Sequence, residues 1–337
     1  MAFQHPASTV VSRDEILKRI EAVCLSVVKS ICQGTLPELS FSRHSAWNEL
    51  KFDSIVSLNP NSPQILTKVR SDRKSSRKKF ATMMRILQLI YRLIQENRFC
   101  TKRDIFYQYP DLYKYQSSID RIVNDVACML KVPRWDLHIL ATSKGLVGGD
   151  IQFTNEEGSY FDCSCSTAGI QIPAHSKDMQ NISTSAKFVL VVEKDATFQK
   201  LMGEQFCQKM KPAILITGKG FPDNGTLLLL RQLWTIYHLP IFVLVDADPH
   251  GIEIMAVYKF GSMNLAYENQ HLATPAIHWL GILPEDIYRL HIPQTALIPL
   301  DSKDVQKCQV LKARPYCRKE EVITTQVSFF FIRVRLI

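Results

Sequence analysis

The segment IFVLVDADPHG, Ile241 to Gly251, limits this chain more than any other stretch of it. An unbroken run of Ile, Phe, Val, Leu and Val has the length and β-branched content of a strand buried on both faces. The run ends on Asp246 and Asp248. In extended chain, side chains two residues apart point to the same side. Two carboxylates held that close repel unless something positive sits between them. The arrangement predicts a divalent cation.

The theme recurs upstream. KFVLVVEKDATF reads as a buried strand, Phe188 to Val192, that ends on Glu193, and AILITGKGF reads as a further strand running into glycines. The helix GTLLLLRQLWTIY then leads into IFVLV. Strand, helix, strand, helix, strand is the doubly wound α/β pattern, whose ligands sit beyond the carboxyl ends of the strands. Glu193, Asp246 and Asp248 all fall at that edge. Each acid alone reads more readily as the cap of a following helix. As a set on two strands, beside Gly218, Gly220 and Gly251, they read as oxygen ligands for Mg²⁺. No G-x-x-x-x-G-K-[ST] occurs, so any ATP dependence would come from a separate partner protein.

The composition, 46% hydrophobic and 22% charged, fits a globular chain, and no apolar run approaches the roughly 18 residues of a membrane span. A net charge of +9 favours a polyanionic partner. Cys163 and Cys165 form a lone C-x-C, a poor zinc signature, and the nine cysteines read as reduced thiols of a cytosolic or nuclear protein.

Near the start, Ser12 and Glu15 form a capping box and Val11 can staple against Ile16. The helix that follows carries Ile16, Ile20, Val23, Val27 and Ile31 on one face and ends near Gly34. Because Pro37, Pro60 and Pro63 mark the next forty residues as loop, this amphipathic helix is expected to lie outside the main body and offer its stripe to a partner. Residues 68–79 hold seven Lys or Arg against one Asp, among them Arg70, Arg73, Lys74 and Arg77. A helix face through Phe80, Met83, Leu87 and Ile94 follows. Thr101 and Asp104 cap a second helix in TKRDIFYQYP, and Ser117 or Ser118 opens a third. With HILATSKGLVGGDIQF as a hairpin turning at Lys144 and Gly145, the outline is a winged helix-turn-helix flanked by phosphate-binding cations. The expected organisation is an N-terminal docking segment over 1–45, a winged-helix DNA-binding domain over 46–153, a polar linker over 154–185 and a metal-binding α/β domain over 186–337.

Several of these motifs carry a family likeness. VVEKDATF, ITGKG and VDADPHGIEI resemble the toprim domain of the topoisomerase VI A-subunit family, and RSDRKSSRKKF, TKRDIFY and TSKGL resemble its meiotic member, the double-strand-break transesterase. The likeness runs over roughly residues 65 to 316 and implies a multidomain α/β protein, winged helix then toprim. It implies attack of a tyrosine oxygen on a DNA phosphate, giving a 5′-phosphotyrosyl bond and a free 3′-hydroxyl. The family tyrosine falls on Tyr107 of DIFYQYP, where Phe106 stands in place of a tandem second tyrosine; Tyr109, Tyr113 and Tyr115 read as packing or surface aromatics. Arg103, four residues earlier, would share a helix face with Tyr107 and grip the scissile phosphate, and Lys144 would lie near the DNA. The resemblance further implies double-stranded DNA as substrate, Mg²⁺ at Glu193, Asp246 and Asp248, a homodimer, a topoisomerase VI B-like subunit docking the N-terminal helix, and a place on chromosomes in the nucleus.

After KARPYC, relatives continue with a long polar, helical segment, whereas this chain has RKEEVITTQVSFFFIRVRLI, whose end reads as a short β-prone apolar run. Two alternatives therefore stand beside the transesterase: a toprim-type hydrolase in which Tyr107 is passive, and a DNA-binding but inactive form.

Overall fold

A computed structural model of the chain describes residues 11–42, 47–53, 56–59, 66–108, 113, 115–174, 179–210, 212–262, 268–329 and 334–336. It divides into two units, 1–44 with 63–141 and 45–62 with 142–337. Pro60, Pro63 and Tyr109 lie outside the described residues.

The first unit opens with helix α1 (Arg13–Cys32), where the Ser12 hydroxyl accepts the Glu15 N–H at 3.2 Å and Gly34 follows the last turn at φ +66°. Strand β1 (Glu38–Ser42) comes next. The short hairpin of β2 (Leu50–Phe52) and β3 (Val56–Leu58) then belongs to the second unit. Back in the first unit, β4 (Leu66–Arg70) pairs antiparallel with β1, Val69 facing Leu39, and leads into α2 (Lys74–Gln95). After β5 (Cys100–Thr101) and α3 (Lys102–Gln108) comes α4 (Gln116–Leu130), and β6 (Ile139–Leu140) closes the unit in parallel with β5.

The three helices expected between Phe80 and Leu130 are present, the first beginning earlier, at Lys74 inside the basic run. At α3 the cap is reciprocal: the Asp104 carboxylate accepts the Thr101 N–H at 2.7 Å, and the Thr101 hydroxyl accepts the Asp104 N–H at 3.2 Å. At α4 no such bond forms; Tyr115 stands at the N-cap, ahead of Ser117 and Ser118, without a side-chain hydrogen bond. Met83, Ile86, Leu87 and Ile90 of α2 share one core with Ile119, Val123 and Val126 of α4.

Helix α1 departs from expectation. Ile16 and Ile20, each 2% exposed, and Val27, 8% exposed, sit in that same core. The pairing of β1 with β4 turns the chain back on itself, so the stripe meets α2 and α4 instead of a partner. Only its last member, Ile31, is exposed.

The expected wing differs as well. Strand β7 (Leu146–Gly149) does not return against β6; it lies antiparallel to a strand of the second unit. The glycines of GLVGG therefore serve close packing. Gly149 has φ +93°, and a Cβ there would overlap the Ala213 carbonyl. Residues 154–185, expected to form a linker, lie inside the second unit and contribute to β8 (Gln152–Thr154), β9 (Tyr160–Asp162), β10 (Ile170–Gln171) and β11 (Gln180–Ser183). Strands of two to four residues are too short to show a period of two.

The heart of the second unit is the doubly wound pattern. Strand β12 (Phe188–Val192) is followed by α5 (Asp195–Gly203) and α6 (Phe206–Lys209), β13 (Ala213–Thr217) by α7 (Asn224–Thr235), and β14 (Ile241–Leu244) by α8 (Pro249–Phe260). After α9 (Asn269–Leu272), β15 (His278–Gly281) completes a six-stranded sheet of order β10-β7-β13-β12-β14-β15. β12 is central, parallel to β13 on one side and to β14 on the other, with Val192 level with Thr217 and Leu244. The expected carboxyl-end edge is therefore real, and it is the edge from which Glu193 emerges.

The chain ends with α10 (Asp286–Arg289), β16 (Leu297–Pro299), α11 (Ser302–Lys312), α12 (Pro315–Lys319), α13 (Glu321–Phe329) and β17 (Val334–Leu336). The tail is thus not one β-prone run. Val327 is buried on α13, and among the described residues of the tail 334–336 pair as a strand, against β16. Glu253 on α8 receives both Lys307 and Arg314, so α11 and the approach to α12 are pinned to α8. The β2–β3 hairpin packs here too: the Phe52 ring lies 5.8 Å from Phe260 and 5.8 Å from Tyr316, edge to face, and Lys319 reaches the Phe52 carbonyl at 3.2 Å.

Candidate functional site

The acids of the second unit gather by backbone geometry. Strand β14 stops at Leu244, so Asp246 and Asp248 lie in the turn to α8, and the alternation expected of extended chain does not govern them. The Glu193 N–H donates to the Leu244 carbonyl at 3.1 Å. The Asp246 N–H returns the tie, donating to Glu193 Oε2 at 2.9 Å. Asp248 does what the competing reading assigned to it: its Oδ1 accepts the Gly251 N–H at 2.6 Å and caps α8. Gly251 has to be glycine, since a Cβ would overlap the Asp246 carbonyl.

Burial raises the pKa of Glu193, and the nearby charges of Asp246 and Asp248 push it further up, against the Asp246 N–H bond and Lys194. Lys194 answers part of this charge. Its ammonium lies 2.7 Å from Asp246 Oδ2, and that hydrogen bond raises the pKa of the lysine. Among the described residues, no three His, Cys, Asp or Glu side chains stand close enough together to hold a metal ion. The predicted trio takes the form of an adjoining pair, Glu193 and Asp246, with Asp248 on the neighbouring cap. The donor set is nevertheless chemically apt for a hard divalent cation: carboxylate oxygens that repel one another, one of them half-desolvated, at the end of a parallel sheet.

Lys144 belongs to this same edge. Its N–H and that of Gly145 donate to Asp223 Oδ2 at 2.7 and 3.0 Å, and its ammonium reaches the Lys219 carbonyl at 3.1 Å. Gly220, at φ +86°, donates its N–H to the Glu193 carbonyl at 2.9 Å, while the Lys219 ammonium lies 3.3 Å from Asp195. Lys194, Lys219 and Asp223 escaped the sequence reading. A signal existed for Asp223, which stands three residues before Thr226 at the start of an apolar helix, the spacing of an N-cap.

In the first unit, Arg103 and Tyr107 are both exposed on α3, one turn apart, while Ile105 between them is buried and Phe106 packs towards the core. Tyr107 is 72% exposed, and neither it nor Arg103 has a hydrogen bond or ion pair among the described residues. Arg73, Lys74 and Arg77 are exposed where α2 begins. Arg70 differs from them: its guanidinium holds both oxygens of Asp72, at 3.1 and 3.0 Å, which keeps the Asp72 carboxyl below the usual range. The tyrosine and the carboxylates lie in different units.

Known proteins resemble the chain along most of its length. The family described as the Toprim domain of the topoisomerase 6 A-subunits and Spo11 matches residues 188–333, and that described as "Type IIB DNA topoisomerase" matches 78–139. The meiotic recombination protein SPO11 of Homo sapiens is 45% identical over 92% of this chain and 78% of its own length, and that of Mus musculus is equally similar over the same shares. The A-type subunit of DNA topoisomerase 6 from Arabidopsis thaliana is 34% identical over 89% of this chain and 70% of its own. With a toprim sheet that ends on Glu193 and relatives this close, the chain belongs to the Spo11/topoisomerase VI A family.

Proposed function

We propose that this chain is a topoisomerase-like, DNA-cleaving enzyme of meiotic recombination that acts by transesterification through Tyr107. The observation that carries the reading is the exposed face of α3. Tyr107 is exposed one turn from Arg103, which is exposed too, within the segment matched to type IIB DNA topoisomerases. A phenol has a pKa of about 10 and needs a positive field to react at neutral pH. Arg103 would supply one with DNA bound, and its planar fork suits two phosphate oxygens at once. The phenolic oxygen would attack phosphorus, its proton leaving to solvent or a base; the 3′ oxygen departs and takes up a proton. The products are a 5′-phosphotyrosyl bond and a 3′-hydroxyl.

Glu193 and Asp246, with Asp248 beside them, would hold a divalent cation, which we take to be Mg²⁺. When bound, such an ion neutralises charge on the phosphate and the departing oxygen. Lys144 would contact a DNA phosphate near the carboxylates, and Arg73, Lys74 and Arg77 of the first unit would contact the backbone, with Arg70 contributing only if DNA displaces Asp72. The family resemblance adds a homodimer in which each protomer's tyrosine serves its partner's acids, and a topoisomerase VI B-like subunit that supplies ATP dependence. The meiotic relatives favour a nuclear, chromosomal site.

Recovery of oligonucleotides bound to immunoprecipitated protein tests the proposal. Tyr107→Phe keeps the ring and should abolish tagged product while DNA still binds. Arg103→Lys should lose most product, because an ammonium cannot make the two-point grip. Tagged product from Tyr107→Phe would transfer the role to another tyrosine.

A further inference from the structure

We infer that Asp223 is a positioning residue, which holds Lys144 against the glycine loop 218–220; the inference rests on the reading of Lys144 as a phosphate contact. One carboxylate serves two elements. Oδ1 accepts the N–H and the hydroxyl of Thr226, at 2.8 and 2.9 Å, and so caps α7. Oδ2 accepts the N–H groups of Lys144 and Gly145, at 2.7 and 3.0 Å, nearly eighty residues away in sequence. Gly145 fits there because it lacks a side chain: a Cβ would overlap Thr226 Oγ1 and would lie 3.3 Å from the Thr217 carbonyl. The backbone of 144–145 is thus fastened to the start of α7 and lies close against the end of β13. Fixed in this way, the Lys144 side chain projects along the edge as far as the Lys219 carbonyl, at 3.1 Å, beside the loop whose Gly220 N–H is bound to Glu193.

The two jobs can be separated. Asp223→Ser keeps a good N-cap acceptor but is too short to reach the second pair of donors. In Asp223→Asn, one pair must face an NH₂ group in place of an oxygen. Both should fold with a melting temperature close to that of the parent. Hydrogen exchange of the full chain should show the Lys144 and Gly145 amides exchanging at least tenfold faster in Asp223→Ser, with α7 still protected. That readout involves no DNA. Binding to a DNA duplex across a salt series gives the other. Lys144→Ala should lower the slope of log affinity against log salt by about 0.9, one phosphate's worth. Asp223→Ser should reproduce at least half of that loss, and the double variant should lose no more than Lys144→Ala alone, as for two residues acting through one contact. Unchanged amide exchange, or additive losses in the double variant, would overturn the positioning role. Should Lys144→Ala bind DNA like the parent while the amides do loosen, the tether stands and the phosphate contact proposed for Lys144 falls.

Discussion

At the scale of single residues, the unusual group is Glu193. Burial and two neighbouring carboxylates raise its pKa, so the fold disfavours its charged form. Its contribution to stability is therefore present below the unfolded carboxylate pKa and is lost as pH rises through the raised folded value. At neutral pH without metal, Glu193→Gln should leave the melting temperature unchanged or raise it. Metal binding has the opposite pH dependence, because the ligand must first lose its proton. Stabilisation by added Mg²⁺ should fade on acidification at a pH above the ordinary glutamate value of about 4.3. It should vanish in Glu193→Gln with Asp246→Asn. Calorimetry with and without Mg²⁺ decides the matter, and undiminished stabilisation in that double variant would remove these residues from the metal site. Sequence found these acids because a carboxylate ending an apolar run is conspicuous. It could not find Lys194 as the counter-charge or Asp223 as the tether, since each depends on where a turn or a distant strand places a backbone N–H.

At the scale of elements, α1 offers the sharpest test. Ile20 is in the core and Leu25, on the same helix, is 57% exposed. Ile20→Ala should cost about 2–4 kcal/mol in chemical denaturation. Leu25→Ala should stay within about 0.5 kcal/mol of the parent. Equal, small effects would mean that the helix stands apart after all. Gly251→Ala probes the start of α8: the added methyl must push the Asp246 backbone, so Mg²⁺ affinity should fall by tenfold or more with secondary structure retained. The periodicity of 3.6 made α1, α2 and α4 legible, and buried apolar runs did the same for β12 to β14. What periodicity cannot supply is the partner of an apolar face. The stripe of Ile16, Ile20 and Val27 looks the same whether it meets α2 or another protein, and prolines between β1 and β4 disguised the pairing that decides it. Likewise GLVGG carries turn residues, but at β7 Gly148 admits the Met202 side chain and Gly149 the Ala213 backbone.

At the scale of the whole molecule, the chain passes between its two units three times, at 44/45, 62/63 and 141/142. A single cut at 141/142 should therefore not free the second unit, because residues 45–62 stay rooted in it through Phe52, Phe260 and Tyr316. The two fragments should coelute on gel filtration; separate elution would show that the aromatic contacts are weak. Phe52→Ala should weaken the anchoring by about 3–5 kcal/mol and release the fragments. No boundary read from composition could reveal this, since 45–62 is too short to form a core of its own and advertises no allegiance.

The same connectivity sets a schedule for biosynthesis. Phe52 leaves the ribosome roughly two hundred residues ahead of Phe260 and later still ahead of Tyr316, which at about 5–20 residues per second is a delay on the order of ten to forty seconds. Once residue 141 has emerged, the helices of the first unit have all their partners, while the hairpin that lies between α1 and α2 in sequence still has an aromatic face and nothing to set it against. The first unit to be completed carries, within its own span, a piece that only the second unit can finish.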